Sequence, residues 1–183
     1  MHRVIKILLL AALFANFAEG LYTPVYAAYV ENMGGGLSDA GLSWSVNLIV
    51  FGILAMFLSR VETRSKRRAA YLFGGYVLSS VASVLFAVIS TPIMLYFVQF
   101  LRGLSWAMIS PVWDSFFSLY VDKKQATVEW GYYEGGWSIA TGVGSAIGGV
   151  LVTIFSFRFL FGVSALFNLL AAFLVLIYWK EFY

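Results

Sequence analysis

The sequence predicts an all-α integral membrane protein with six transmembrane helices. Hydrophobic residues make up 61% of its 183 residues and charged residues only 11%, whereas about 25% of an ordinary soluble domain is charged. Six apolar stretches each exceed the roughly 20 residues that a helix needs to cross a bilayer. None of them alternates apolar and polar residues with period two, so we expect their backbone donors to be satisfied within helices.

The six segments fill almost the whole chain as one transmembrane domain, and the basic residues indicate its orientation. Segments 1 to 6 span residues 4–30, 38–59, 69–90, 92–121, 127–154 and 157–179. Ten of the twelve basic residues lie at the two ends of the chain or between segments 2 and 3 or 4 and 5: Arg3, Lys6, Arg60, Arg64, Lys66, Arg67, Arg68, Lys123, Lys124 and Lys180. Because cytoplasmic loops carry the Lys and Arg excess, we expect a multi-pass cell membrane protein with both termini in the cytoplasm.

Segment 1 has an alternative interpretation as a secretory signal. Its basic start, the apolar residues 7–14 and the small residue Ala18 imitate such a signal. Apolar character resumes after Glu19, however, and cleavage would leave five helices with inconsistent charge placement. A retained first helix is therefore favoured.

Polar and ionisable residues are costly inside a membrane, and here they concentrate in segments 1, 4 and 5. Segment 1 contributes Asn16, Glu19, Thr23 and Tyr26. At about 100° per residue, segment 4 carries one polar and aromatic stripe, formed by Gln99, Arg102, Trp106, Ser110, Trp113 and Asp114. Segment 5 carries Glu134, Trp137, Thr141 and Ser145. Two interpretations are open: interhelical hydrogen bonds that hold the bundle together, or a shared hydrated cavity.

A short internal repeat favours the cavity. Residues 17–21 in segment 1 read Phe-Ala-Glu-Gly-Leu, and residues 100–104 in segment 4 read Phe-Leu-Arg-Gly-Leu. The two segments run in opposite directions, and an inverted three-helix repeat is a recurrent transporter device with the substrate site where the repeats meet. Glu19 and Arg102 hold matching places in the two copies, so we expect them to form an ion pair.

Segment 5 is also rich in glycine, at Gly131, Gly135, Gly136, Gly142, Gly144, Gly148 and Gly149. Glycines four residues apart allow helix backbones to approach closely in lipid. Tight helix packing is one explanation of this pattern, and a family motif is another.

Motifs in two segments resemble those of one transporter family. Segment 5 reads Gly131-x8-Ala140-x3-Gly144-Ser145-x2-Gly148-Gly149, which matches four of the six positions in G-x8-G-x3-G-P-x2-G-G. In segment 4, Gln99, Arg102 and Gly103 are similar to R-x2-Q-G with Gln and Arg exchanged. Of the family's acidic and basic motif between helices 2 and 3, only the charge character is present. In these features the chain resembles half of an antiporter of the major facilitator superfamily.

The resemblance implies that segments 1, 2, 4 and 5 line a central path while segments 3 and 6 face outward. A transporter of this superfamily has about twelve helices in two six-helix halves, and this sequence supplies one half. It is either the N-terminal half of a longer transporter or a subunit of a parallel homodimer with twofold symmetry. We favour the homodimer, with its halves meeting through segments 2 and 5.

The predicted function is secondary active transport by alternating access, with proton-coupled efflux of a small lipophilic or cationic solute. Glu19 is the expected proton carrier, because desolvation and Arg102 act on its charge in opposite directions. The expected substrate and proton pathway consists of Asn16, Glu19, Tyr22, Thr23, Gln99, Arg102, Trp106, Ser110, Trp113, Asp114, Glu134 and Trp137. The expected cytoplasmic gate consists of Arg60, Glu62, Arg64, Lys66 and Arg67.

Two further function classes stay open at this point. One is a uniporter or symporter of an anionic solute anchored by Arg102, and the other is a non-transporting membrane scaffold or lipid-handling protein. An enzyme is disfavoured, because the sequence has no Cys, its one His is His2, and no Ser/His/Asp set or phosphate loop is present. The expected partners are a second copy of the chain, a small-molecule substrate, protons and the bilayer. No nucleic acid, metal or cofactor is expected.

Overall fold

The structure is a computed structural model that describes residues 1–64 and 68–182, with the side chains of residues 61–64 left outside the description. Segments 1 to 6 form helices α1 to α6, which are Arg3–Asn32, Leu37–Arg64, Arg68–Val88, Pro92–Tyr120, Ala126–Ile154 and Phe157–Ile177. In the described residues, these six helices are long and apolar enough to cross a membrane. The all-α membrane prediction is confirmed.

Helix α1 changes its winding where proline enters it. Two α-helical parts, Arg3–Tyr22 and Tyr26–Asn32, are joined by a 3₁₀ turn at Thr23–Val25. Pro24 has no N–H to donate to the preceding turn, and a short 3₁₀ stretch accommodates that loss. The Gly20 carbonyl, which loses its helical donor at Pro24, accepts a hydrogen bond from the Ser145 hydroxyl of α5 at 3.2 Å.

The packing of the six helices has the symmetry of an inverted repeat. The extensive contacts pair α1 with α5, α2 with α4, α3 with α6, α3 with α4, and α1 with α6. Exchanging α1 with α4, α2 with α5, and α3 with α6 turns this set of pairs into itself. Because α1 and α4 run in opposite directions, the two three-helix units are related by inversion of topology, as the sequence repeat predicted.

Two matching glycines mark equivalent crossings in the repeats. A Cβ atom on Gly20 of α1 would collide with the backbone of Thr141 in α5. A Cβ atom on Gly103 of α4 would lie 2.5 Å from the Asn47 carbonyl oxygen in α2. At both crossings the backbones therefore approach so closely that only glycine fits, which is the packing that small residues permit in membranes.

The glycines of α5 divide into two faces. Gly144 and Gly148 lie against the backbone of α1 around Phe17 and Leu21, and an added Cβ at Gly148 would overlap the Leu21 carbonyl. A Cβ added at any of the four other predicted packing glycines would meet nothing within 4 Å: Gly131, Gly135, Gly142 and Gly149. Within the described part of one chain, the face of Gly144 and Gly148 therefore packs against α1, whereas the other face is open at these four glycines.

Serine side chains join α3 to α4 and α6. Ser79 of α3 bonds Ser105 of α4 at 2.8 Å, and Ser83 of α3 bonds Ser164 of α6 at 3.3 Å. The Ser80 hydroxyl donates to the Ala165 carbonyl at 2.9 Å. Such bonds satisfy buried hydroxyls between membrane helices, and each contributes about 0.6 kcal/mol on average.

Replacing Gly148 with Ala is expected to lower the apparent melting temperature of the detergent-solubilised protein clearly, because overpacking a tight contact costs about 1–3 kcal/mol. Gly103→Ala should have a similar effect, since it lies at a comparable crossing. The matched control is Gly162→Ala in α6, where an added Cβ meets nothing within 4 Å. Equal melting temperatures for Gly148→Ala and Gly162→Ala would contradict the close α1–α5 crossing.

Candidate functional site

A buried ion pair lies where α1 faces α4. The Arg102 guanidinium donates to the Glu19 carboxylate. The Arg102 side chain is 2% exposed and that of Glu19 is 23% exposed, so the carboxylate is the partner with access to solvent or solute. A lone charge at this depth is costly, and the pair forms as the sequence repeat predicted.

Tyr22 completes the surroundings of Arg102. The guanidinium carbon lies 4.7 Å from the centre of the Tyr22 ring, within the range of a cation–π contact. The Tyr22 hydroxyl and the Nε and Nη1 atoms of Arg102 are buried without a hydrogen-bond partner among the described residues. Several buried polar atoms around the pair thus have unused hydrogen-bonding capacity within the described part of the chain.

Helix α2 adds two residues that sequence reasoning missed. The Asn47 side-chain amide donates to the Gln99 side-chain oxygen at 3.1 Å, and the Tyr26 hydroxyl bonds the Ser43 hydroxyl at 2.7 Å. Gln99 is fully buried, so it is held by Asn47 and does not face an open space. Asn47 and Ser43 are amide and hydroxyl residues within an otherwise apolar segment. Their presence there was the signal in the sequence that could have identified them.

A recess lies beside the ion pair, in the half of the bundle that holds the termini. Arg3 pairs with Glu181 at 3.1 Å, so both termini lie at one end, and α4 runs toward that end. Ten residues of α1, α3, α4 and α5 line the recess: Ala12, Ala15, Asn16, Tyr76, Trp106, Ile109, Ser110, Trp113, Asp114 and Tyr133. We call it the aromatic recess.

A second recess adjoins the first on the α1–α5 side. It has a volume of about 340 Å³, and it shares Ala12, Asn16 and Tyr133 with the aromatic recess. Trp137, Gly136 and Tyr132 of α5 line its other wall. Asn16 therefore faces both spaces, which lie between α1, α4 and α5.

The predicted pathway residues divide into three groups. Asn16, Trp106, Ser110, Trp113 and Asp114 line the aromatic recess, and Trp137 lines the second one. Glu19, Tyr22, Arg102 and Gln99 form the polar cluster around the ion pair. Thr23 and Glu134 are exposed on the helix surface and line neither recess.

Trp113 has a structural role in the wall of the recess. Its indole N–H donates to the Leu8 carbonyl at 3.3 Å. Its ring stacks on Phe117 at 5.0 Å between centroids and contacts Tyr133 at 4.3 Å. Buried indole groups find an acceptor in this way, so Trp113 fixes the position of the recess wall between α1, α4 and α5.

The predicted gate lies largely outside the described side chains. Arg60 is exposed near the end of α2, and Glu62 and Arg64 belong to the same helix by backbone. Lys66 and Arg67 lie outside the described residues. Among the residues that the structure does describe, no group of three or more His, Asp or Glu residues could hold a metal ion.

Comparisons with known proteins agree with this geometry. The family model of the Major Facilitator Superfamily matches residues 8–181. Quinolone resistance protein NorB from Staphylococcus aureus, in strains JH9 and Newman among others, is 31% identical over 104 residues, which are 55% of this chain and 22% of NorB. The chain thus aligns with about a fifth of the length of these curated relatives.

A solved structure shares the fold. The in meso crystal structure of the POT family transporter PepTSo superimposes with a TM-score of 0.75 over 98% of this chain and 38% of that protein. The sequence identity is 14%, so this similarity concerns the fold alone.

Breaking the ion pair is expected to destabilise the protein more than removing both of its charges. Arg102→Ala leaves the Glu19 carboxylate without its partner in a low-dielectric site, whereas Arg102→Ala combined with Glu19→Gln leaves no charge there. Thermal unfolding of the wild type, both single variants and the double variant in detergent should give a coupling energy of about 1–3 kcal/mol. Strictly additive effects would show that the two side chains do not interact.

Proposed function

The chain belongs to the major facilitator superfamily, and from that premise we propose that it is a secondary active transporter. Two six-helix units rock about a site near the bilayer midplane and expose it alternately to the two sides. Transport is proton-coupled export of a small lipophilic or cationic solute. The observation that carries the proposal is the buried pair of Glu19 and Arg102 beside the aromatic recess.

Glu19 is the proton carrier in this proposal. Its carboxylate is partly exposed and its partner is not, so a proton from an open cavity reaches Glu19 without crossing the helix bundle. Protonation removes the attraction to Arg102, which then turns to other acceptors around it. The free Nε and Nη1 atoms of Arg102 and the free Tyr22 hydroxyl provide the polar groups for that rearrangement.

The similarity to NorB and the glycine motif of α5 both favour export. The relative is a quinolone resistance protein, and removing a compound from the cell is a way to resist it. The glycine pattern of α5 is similar to that of antiporters.

The basic residues favour an orientation with both termini in the cytoplasm. In that orientation the connection between α1 and α2 lies outside the cell, so a cysteine in place of Gly36 should react with an impermeant thiol reagent applied outside. A cysteine there that resists the reagent would contradict the orientation.

A second copy of the chain is the partner that we propose for the other six-helix unit. Within one chain, only 11% of the residues in the apolar stretch of α2 and 17% of those in the apolar stretch of α5 are buried. The corresponding share is 44% or more for the other helices. Gly131, Gly135, Gly142 and Gly149 are open on α5, and open glycines permit close contact with another helix. Twofold symmetry about the membrane normal brings α2 and α5 of both copies together. We also propose that the cytoplasmic gate consists of Arg60, Glu62, Arg64, Lys66 and Arg67.

One observation favours a second candidate function. Nε and Nη1 of Arg102 are buried and have no hydrogen-bond partner among the described residues, which suits the recognition of an anion by a guanidinium group. A uniporter or symporter of an anionic solute would use Arg102 as its anchor. Uptake that fails in Arg102→Ala but persists in Glu19→Gln would favour this candidate over proton-coupled export.

Glu19→Gln is expected to abolish pH-driven transport in a protein that is less stable but still folds, because the amide oxygen can accept a hydrogen bond from Arg102 but the amide cannot carry a proton. The measurement is export of a fluorescent lipophilic cation by proteoliposomes under an imposed pH gradient. Asp122→Asn, in the connection between α4 and α5, is the matched control and should transport normally. Wild-type rates in Glu19→Gln would rule out this proton carrier.

Gly142→Leu and Gly149→Leu are expected to weaken the homodimer, since a large side chain prevents close approach at the open face of α5. Native mass spectrometry in mild detergent and in lipid nanodiscs measures the dimer fraction. Gly162→Leu in α6 is the matched control, because Gly162 is equally open but lies on a helix outside the proposed interface. Spectra of the wild type that contain only monomer in both media would refute the homodimer.

A further inference from the structure

A groove lies at the end of the bundle opposite the termini, where α1 and α3 end and α6 begins. The described residues that line it lie within 29–33, 86–90 and 157–158. It shares no residue with the two recesses of the candidate site, and neither α2 nor α5 contributes a described residue to it. We call it the distal groove. It is therefore separate from the central site and from the helices at which a second copy is proposed.

The floor of the distal groove is aromatic and connects three helices. The Tyr29 hydroxyl of α1 donates to the Phe86 carbonyl of α3 at 2.5 Å. Because α3 ends at Val88, that carbonyl belongs to the last turn, where carbonyl groups lack regular helical donors. The Tyr29 ring also contacts Phe157 of α6, with 5.3 Å between the ring centroids. The floor is thus apolar and fixed in position, and the Tyr29 hydroxyl already has its acceptor.

The rim of the distal groove is polar. Its three exposed polar side chains are Asn32 of α1, Ser90 after α3 and Arg158 of α6. Among the residues that the structure describes, none of these side chains has a hydrogen-bond or salt-bridge partner. No carboxylate is found among the described residues that line the groove. The rim therefore offers a guanidinium, an amide and a hydroxyl to a ligand from outside the chain.

The positive charge of Arg158 is not neutralised by the carboxylates at the same end of the bundle. Glu31 of α1 does not line the groove and forms no salt bridge with Arg158. The Asp39 carboxylate of α2 accepts hydrogen bonds from the Gly36 N–H at 2.9 Å and from the Tyr96 hydroxyl at 3.5 Å. The ligand that complements this rim is therefore an anion.

The position of the groove indicates the kind of anion. Transmembrane helices end near the lipid headgroups, so the rim lies at the level of phosphate groups and the floor lies toward the acyl chains. Apolar residues beside the groove are exposed to lipid, with Val88 62% exposed and Phe159 47% exposed. A guanidinium group also matches the geometry of a phosphate. A phospholipid has the same arrangement as the groove, with an anionic phosphate above apolar chains.

We infer that the distal groove binds an anionic phospholipid of the leaflet opposite the termini, with its phosphate on Arg158. The Asn32 amide and the Ser90 hydroxyl donate to phosphate and glycerol oxygens, and the aromatic floor contacts the start of the acyl chains. The ammonium group of a zwitterionic lipid finds no carboxylate among the described lining residues. The bound lipid joins the ends of three helices, which is a role apart from solute transport.

The test measures binding of two lipids with identical acyl chains, phosphatidylglycerol and phosphatidylcholine, to the delipidated protein. Native mass spectrometry in detergent gives the apparent Kd of the first lipid bound. Arg158→Gln is expected to weaken phosphatidylglycerol binding about fivefold, as for one basic residue beside anionic headgroups, and to leave phosphatidylcholine binding unchanged. Arg158→Lys should retain most of the affinity. Lys124→Gln, which removes an exposed basic residue at the other end of the bundle, is the matched control and should bind as the wild type does.

A second pair of variants tests the floor without changing any charge. Ala87 lines the distal groove, whereas its neighbour Val88 does not. Ala87→Phe fills the groove and is expected to weaken phosphatidylglycerol binding at least as much as Arg158→Gln does. Val88→Phe is its control and should bind normally. Phosphatidylglycerol should also raise the apparent melting temperature of the wild type, and inorganic phosphate at the same concentration should not.

The outcomes distinguish a lipid site from general attraction and from a site for small anions. Equal phosphatidylglycerol affinity in the wild type and in a folded Arg158→Gln protein would overturn the inference, and so would an equal loss of both lipids. A similar loss in Lys124→Gln would refute it, because the attraction would then come from the total charge. Stabilisation by inorganic phosphate as large as that by phosphatidylglycerol would refute the assignment to a lipid. None of these measurements requires transport, so they stand apart from the proposed function.

Discussion

The buried charge of Arg102 is the constraint on which the centre of this structure depends. A guanidinium in the apolar interior of a membrane protein is stable only with a partner nearby, and Glu19 is that partner. The pair joins the first helix of one repeat to the first helix of the other. Tyr22 covers the guanidinium, and the buried residues around the pair leave several polar atoms unbonded. The centre of the bundle is therefore held by an interaction whose strength changes when one proton is added.

Close backbone contacts hold the helices around this centre. Lipid supplies no hydrophobic force that drives one apolar helix against another, so association depends on packing and on interhelical hydrogen bonds. The crossings at Gly20 and Gly103 provide the first, and the serines of α3, α4 and α6 provide the second. The two glycine crossings are equivalent under the inverted repeat. Each follows the ionisable residue of its own repeat by one position, so the packing that brings the helices together also positions Glu19 and Arg102.

Side chains with similar chemistry have different surroundings in this bundle. Glu19 is paired, Asp114 is exposed at the edge of a recess, and Glu134 is exposed on α5 outside both recesses. Trp113 is fixed in the core by its bond to the Leu8 carbonyl, whereas Trp137 is 46% exposed. The proposed function uses both kinds of environment, because a rigid wall defines the site and accessible groups bind what enters it. The exposed faces of α2 and α5 add a third environment, where contact with another six-helix unit is geometrically possible.

The sequence by itself determined the membrane class, the six helices, the inverted repeat and the Glu19–Arg102 pair. These follow from local composition and from matching positions in two segments, and neither requires knowledge of how the helices are rotated. The tertiary structure alone decided which residues face a recess. It placed Gln99 against Asn47, divided the α5 glycines between a packed and an open face, and separated Asp114 from Glu134. The physical reason is that a stripe of polar residues gives the direction of a side chain relative to its own helix. What that side chain meets depends on the rotation and distance of the neighbouring helices, and close contacts such as Gly148 on Leu21 set both.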